Sequence, residues 1–190
     1  MLRVIYIVVR HRCPCIRLRC GAIGVSASAT LEKEIIVADA PTVKNIEDLT
    51  ARLISPTDAV KLIPLAGPSD GSPTSVFFEV WEPGGAQPDN SHPDSVEIFI
   101  VLSGEAEATS DEHTTPLRQG DVLILTKGSV HKIRNTSATE RLYTVTIMTV
   151  DNEGSMPHGF EHLVAAGTPT TLDDEDKAAL FARYLPQVTA

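Results

Sequence analysis

Asn90, His92, Glu97 and His131 are the residues of this sequence best suited to hold a metal ion and to work beside it. Two imidazoles and one carboxylate make a ligand set for a divalent cation, and with open positions that set is typical of non-haem Fe(II) oxygenases. Asn90 and His92 are two apart, so in an extended segment they face the same side. Glu97 opens the next apolar run, in which Glu97, Phe99 and Val101 alternate with Ile98, Ile100 and Leu102. If Glu97 points inward, Phe99 and Val101 line the same interior. His131 follows a Gly-x-x turn on a separate run. A glutamate is rarely fully buried without a partner. A cation is the natural partner for a carboxylate flanked by two imidazoles.

The elements that must position these groups are short. From Pro64 to Val150 the β-rich runs Ser75–Trp81, Val96–Leu102, Glu105–Thr109, Asp121–Leu125, Val130–Arg134 and Leu142–Val150 alternate with turn clusters. Many short strands with frequent turns predict an antiparallel sandwich or barrel, not a βαβ fold. Gly84-Gly85 precedes a proline-broken loop, so it is no phosphate loop. Upstream, Asn45–Ile54 places apolar residues at helical spacing, which predicts a short helix capped by Asn45 and ended before Pro56. Downstream of Asp151 the chain reads as irregular until Leu172–Leu185, a terminal helix with acids in its first turn and Arg183 in its last. That helix is expected to cover one face of the barrel. His158 and His162 have helical spacing, but Pro157 and Gly159 weaken a helix there. A surface or barrel-mouth position is expected for them rather than a second metal site.

Two spaced patterns bind these observations together. One is Gly84-x5-Asn90-x-His92-x4-Glu97-x6-Gly104; the other is Gly120-x5-Thr126-x-Gly128-x2-His131-x3-Asn135. They resemble the two signature motifs of the cupin superfamily, Gly-x5-His-x-His-x3-4-Glu-x6-Gly and Gly-x5-Pro-x-Gly-x2-His-x3-Asn. The spacing fits throughout. Asn90 stands where the family has its first metal-binding His, and Thr126 stands for the Pro. The motifs span Gly84 to Asn135, and the surrounding strands extend the resemblance over roughly Pro64 to Val150.

The resemblance implies an all-β fold, a cupin-type jelly-roll β-barrel with short flanking N- and C-terminal helices. It also implies a small-molecule substrate site inside the barrel, at one divalent metal ion on His92, Glu97 and His131. Fe2+ or Mn2+ is the expected ion, with Zn2+ or Ni2+ as alternatives. Asn90, the candidate catalytic residue, either adds its amide oxygen as a weak fourth ligand or orients a substrate or a metal-bound water. The reaction expected first is that of an Fe(II)/Mn(II) oxidoreductase of the dioxygenase type. A non-redox isomerase or lyase, a non-catalytic binding cupin, and a degenerate cupin whose Asn90 marks a lost site are the alternatives, since one fold hosts many functions. Gly104, Gly120 and Gly128 are expected in tight turns, Asn135 at a turn closure, and Phe78, Trp81, Tyr143 and Met148 in the core. Dimers are common for this fold, so the resemblance admits a homodimer without fixing the assembly.

Composition bounds the partners. The chain of 190 residues has a formal charge of −9, unevenly spread. Met1 to Leu31 carries five arginines and no acid; the remainder has 11 bases against 25 acids, or −14. An acidic body repels polyanions, which argues against nucleic acid as a partner. The apolar runs are too short to span a membrane, so a cytoplasmic protein is expected, with organelle targeting by the Arg-rich leader as an alternative. Cys13, Cys15 and Cys20 all lie in that leader, so the body has neither a disulfide framework nor thiol catalysis. The expected organisation is a leader over 1–30, an arm over 31–63, the barrel over 64–150 and a tail with a helix over 151–190.

Overall fold

The computed structural model describes residues 40–45, 48–149 and 159–181. The leader with its three cysteines, and also His158 and Arg183, lie outside the described residues. The strands are β1 (Ala51–Leu53), β2 (Val60–Ala66), β3 (Thr74–Trp81), β4 (Asn90–Ser91), β5 (Glu97–Ser103), β6 (Glu105–Ser110), β7 (His113–Arg118), β8 (Val122–Leu125), β9 (Val130–Asn135), β10 (Leu142–Thr149) and β11 (Thr168–Thr170). Among the described residues two α-helices accompany them, α1 (Gly159–Ala165) and α2 (Asp174–Phe181). Every described strand pair is antiparallel. One sheet has the order β11-β1-β2-β3-β10-β5-β8 and the other β4-β9-β6-β7.

Alternation decides what lies between the sheets. Phe77 and Trp81 of β3, Phe99 and Val101 of β5, and Met148 of β10 face Ala106, Ala108 and Ile133 of the smaller sheet in one buried cluster. The intervening residues of β3, Phe78 and Val80, belong to a second cluster with Tyr143 and with Leu180 of α2. Strand β3 is therefore buried on both faces, and α2 is what covers the outer one. Gly104, Gly120 and Gly128 have φ of 91°, 93° and 77°, the left-handed turn conformation expected of them.

Buried charge fastens α2. Asp176, with 0 % exposure, receives Lys61 Nζ at 2.9 Å and Arg141 Nη1 at 3.0 Å. Arg141 also reaches Asp173 at 2.6 Å and Glu82 at 3.1 Å. Arg141→Leu leaves these carboxylates short of a cation, and breaking such a network costs about 3–5 kcal/mol. The expected result is a lower urea midpoint at unchanged m-value, with much of that loss in stability; an unchanged midpoint would mean the network contributes only surface pairing.

Two expectations are corrected. Within the predicted helix Asn45–Ile54, Ala51–Leu53 is instead a strand, with Arg52 paired to Pro169 of β11 and to Leu62 of β2. Leu49, Ala51 and Leu53 also form a period-two apolar series, and burial of Ala51 in the outer cluster decides for the strand. The second correction is α1, in a stretch that reads as irregular. Its position is fixed from behind by Gly167, where any Cβ would lie 2.3 Å from the Leu53 carbonyl oxygen. The strand-rich region also starts earlier than Pro64, since β1 and β2 complete the larger sheet.

Candidate metal centre

Three separate elements converge on one buried point. The two-residue strand β4 pairs with β9 so that Asn90 lies opposite His131 and Ser91 opposite Val130. His92, the next residue, is pinned by the Gly128 N–H, which donates to the His92 carbonyl at 2.9 Å. Glu97 opens β5 with its side chain inward, in phase with Phe99 and Val101. His131 points inward from β9, in phase with Ile133 and Asn135. Asn135 is a structural knot: its amide donates to the carbonyls of Trp81, Glu82 and Glu140 and accepts from the Ser137 N–H. That fixes the loop beyond β9 to the end of β3.

His92, Glu97 and His131 are each 3–5 % exposed. One ligand atom from each lies within 4.8 Å of the others. Glu97 Oε2 is 2.9 Å from His131 Nε2 and 3.5 Å from His92 Nε2. Yet Glu97 Oε2 and His131 Nε2 are both buried without an aligned hydrogen bond among the described residues. Close lone-pair atoms that do not hydrogen-bond to one another are what a shared cation requires, whereas unsatisfied buried polar atoms are otherwise costly. His131 Nδ1 lies 3.0 Å from the Ser129 carbonyl. That carbonyl can only accept, so Nδ1 carries the hydrogen and Nε2 is left as the ligand atom. The residues present therefore fit a divalent ion.

Asn90 faces the same point with its nitrogen. Its amide oxygen accepts from the Ser91 N–H at 2.9 Å, and its Nδ2 lies 3.0 Å from His92 Nε2. In this orientation it offers a hydrogen-bond donor rather than a ligand oxygen.

The electrostatics follow from burial and pairing. Burial alone would raise the Glu97 pKa, but the two imidazoles outweigh it and hold the carboxyl below its ordinary value. Burial likewise would lower the pKa of His131, and Glu97 reverses that to a net rise. A second carboxyl, Glu79, behaves oppositely. Burial first, and the charge of Glu97 second, push it up to about 8. Its Oε2 accepts from the Thr144 hydroxyl at 2.9 Å, which itself accepts from the Trp81 indole N–H at 3.0 Å.

Glu79, Glu97 and Asn90 line a cavity of about 410 Å3 together with Trp81, Gln87 and Phe160. Phe160 of α1 stands edge-on to Phe77, with ring centroids 5.4 Å apart, and edge-on to His92 at 6.2 Å. So α1 supplies part of the cavity wall and holds an imidazole in place. His162 sits exposed on the same helix, outside the cluster of three. Sequence reasoning missed Glu79 and Phe160. The available signal for Glu79 was its phase: a lone acid between Phe77 and Trp81 on an otherwise apolar face.

A family model for the Cupin domain matches residues 77–148. A curated relative, the uncharacterized protein YdbB of Bacillus subtilis (strain 168), is 44% identical over 52 residues, which is 27% of this chain and 46% of the relative. The match thus spans about half the length of that relative. Among solved structures, a predicted oxalate decarboxylase from Thermotoga maritima superposes with a TM-score of 0.50 at 19% identity, covering 57% of this chain and 98% of the other. A sugar phosphate isomerase from Silicibacter pomeroyi gives 0.50 at 18%, covering 58% and 76%. At such identities the likeness shows the fold alone. Sheet order and both spaced motifs agree with the family match, so residues 77–148 form a cupin domain.

Proposed function

We propose that the chain holds one divalent ion on His92, Glu97 and His131, and that it acts on a small organic molecule in the adjoining cavity as a non-haem Fe(II)- or Mn(II)-dependent oxidoreductase of the dioxygenase type. The observation that carries this reading is the buried meeting of two imidazoles and one carboxylate in which Glu97 Oε2 and His131 Nε2 lack aligned hydrogen bonds among the described residues. A set of two His and one carboxylate leaves coordination positions open. A bound ion supplies Lewis acidity and, for iron or manganese, redox chemistry. The chain's own residues do the remaining work. Ser129 sets the tautomer of His131, Asn90 turns its amide N–H toward the site to orient a substrate oxygen or a water, and Trp81 with Phe160 gives the substrate a dry wall.

A second reading, a non-redox isomerase or lyase, is favoured by Glu79. A carboxyl that keeps its proton near neutral pH within the same cavity is a general acid of suitable strength. Anaerobic purification with metal analysis, then oxygen-uptake screening against small acids and diketones, separates the two. Substrate-dependent oxygen uptake supports the first reading; turnover without it supports the second.

Metal affinity should also depend on pH in a defined direction. In the metal-free protein His131 holds its proton to a pH above the ordinary 6.5, while Glu97 stays ionised well below it. Metal must displace the His131 proton, so affinity is full above that raised pKa and falls by about tenfold per pH unit below it. Competition titrations with Zn2+ from pH 5.5 to 8.5 should place the break above about 6.5. A break at or below the ordinary imidazole value would mean that Glu97 does not raise the His131 pKa.

A further inference from the structure

The two sheets differ in what their outer faces carry. On the smaller sheet, outward residues of β6 and β9 are polar: Glu107 stands opposite Arg134, and Thr109 opposite Lys132. That is the alternation of a sheet with one solvated face. The larger sheet departs from it. Outward residues of β5, β8 and β10 form two rows in register, Ile124–Ile98–Ile147 and Val122–Ile100–Val145. All six are β-branched aliphatic side chains without charge or hydrogen-bonding groups.

Helix α2 covers the neighbouring part of this face. Its Leu180 packs with Phe78, Val80 and Tyr143, and Val145 lies at the margin of that cluster. Farther out, on β8, Val122 and Ile124 are 56 % and 62 % exposed. Strand β8 is also the last strand of its sheet. Edge strands are ordinarily protected by charge, proline or a covering element; β8 instead turns two branched aliphatic residues outward.

Size and charge indicate what covers them. Strands lie about 4.8 Å apart and same-face residues about 6.8 Å apart along each, so the rows with Val76 and Leu102 span roughly 20 by 20 Å, about 400 Å2 of apolar sheet. That exceeds a scatter of single exposed residues. It is the size of the apolar centre of an interface burying about 800 Å2 per partner, with the strand ends as a polar rim. Beyond the Arg-rich leader the chain has 11 bases against 25 acids. Such a body repels an anionic lipid surface, and repels its own copies wherever carboxylates meet. The two rows bring no charges together. A two-fold axis requires a patch complementary to itself, which a flat uncharged sheet provides. Two such sheets pack about 10 Å apart with their strands within about 30°.

We propose that this face binds the same face of a second copy, forming a two-fold dimer centred on Ile98, Ile100, Val122 and Ile124. The dimer goes beyond the metal reading and does not depend on it. Strand β5 would carry the interface on one side and Glu97 on the other.

The test is the mass of the full chain by analytical ultracentrifugation, with chelator and without added metal. One copy has a mass of 20.4 kDa. Twice that mass is expected at about 50 µM protein. Ile124→Lys and Val122→Lys each place an ammonium where the side chain is already more than half exposed in the single copy, so the fold should be kept. In the dimer the same ammonium is buried without a partner, which should raise the dimer Kd by at least about a hundredfold. Glu107→Lys, on the outer face of the smaller sheet, should leave the mass unchanged. Far-UV circular dichroism checks the fold of each variant. Hydrogen exchange needs no variant: amides of β5 and β8 should exchange more slowly in the wild type at about 50 µM than at about 0.5 µM. A mass of one copy at every concentration, or of more than two, would overturn the proposal. Slow exchange of β8 in such a single copy would mean that a segment of the same chain covers the face instead. A dimer that survives both lysine substitutions, or one that Glu107→Lys disrupts equally, would place the contact elsewhere and overturn it too.

Discussion

His131→Ala is expected to lower the affinity for a divalent ion by more than about a hundredfold, while Asn90→Ala changes it by less than about tenfold in either direction. The difference follows from what each side chain offers. His131 presents Nε2 with its lone pair free, because Nδ1–H is engaged by the Ser129 carbonyl. Its removal takes one of three ligands. It also leaves Glu97 with a single imidazole neighbour at 3.5 Å. Asn90 instead places Nδ2 at 3.0 Å from His92 Nε2, so its N–H occupies a lone pair that an ion would take. Removing it costs an ion nothing at that atom and deletes one weak competitor. The measurement is metal content by mass spectrometry after equilibrium dialysis, together with the thermal shift on adding Zn2+. An ion at a hundred times its Kd stabilises the fold by about 2.7 kcal/mol. That shift should survive in Asn90→Ala and vanish in His131→Ala, with the far-UV circular dichroism of both variants intact. Equal losses from the two substitutions would make Asn90 a true ligand, with its amide turned over.

The site was legible in the sequence because its spacing is dictated by backbone geometry. Glycine at 120 and 128 and the period of two between Asn90 and His92 are constraints that survive without knowledge of the third dimension. Phase along β5 likewise placed Glu97 with Phe99 and Val101 before any contact was known. What stayed hidden depends on tertiary pairing. Leu49, Ala51 and Leu53 fit a strand, and Leu49, Leu53 and Ile54 fit a helix; only the partners β2 and β11 decide between them. Short α1 has glycine at its start and little local preference for helix, and Phe160 packing against Phe77 and His92 accompanies its formation. The tautomer of His131 depends on a carbonyl two residues away whose direction no pattern of residue types reveals. Glu79 illustrates the remaining gap. Its inward phase could be read, but a buried acid is conspicuous only once its neighbours are known to contain no base.

Glu79→Gln is expected to stabilise the metal-free protein at high pH and to leave it nearly unchanged at low pH. The carboxyl titrates at about 8 in the fold against 4.5 ordinarily, with burial as the first cause and the Glu97 charge as the second. For an acid whose pKa is raised by folding, stability is complete below the unfolded value and is lost as pH rises through the folded one. The wild-type protein should therefore weaken steadily from about pH 4.5 to about 8 and level off above it, and the variant should not show this component. The total difference is on the order of a few kcal/mol, large for one uncharged substitution on a domain of this size. Urea midpoints of both proteins from pH 5 to pH 9, at constant m-value, read it directly. Repeating the series in a Glu97→Gln background should shrink the pH dependence but not abolish it, because burial comes before the neighbouring charge. Parallel curves for wild type and Glu79→Gln would mean that the acid is already ionised in the fold, and with that the general-acid role on which the isomerase or lyase reading depends would fall. If the curves diverge as expected, the fold tolerates a carboxyl in its core by keeping it protonated, and the same proton is the one a ligand oxygen in the cavity would meet.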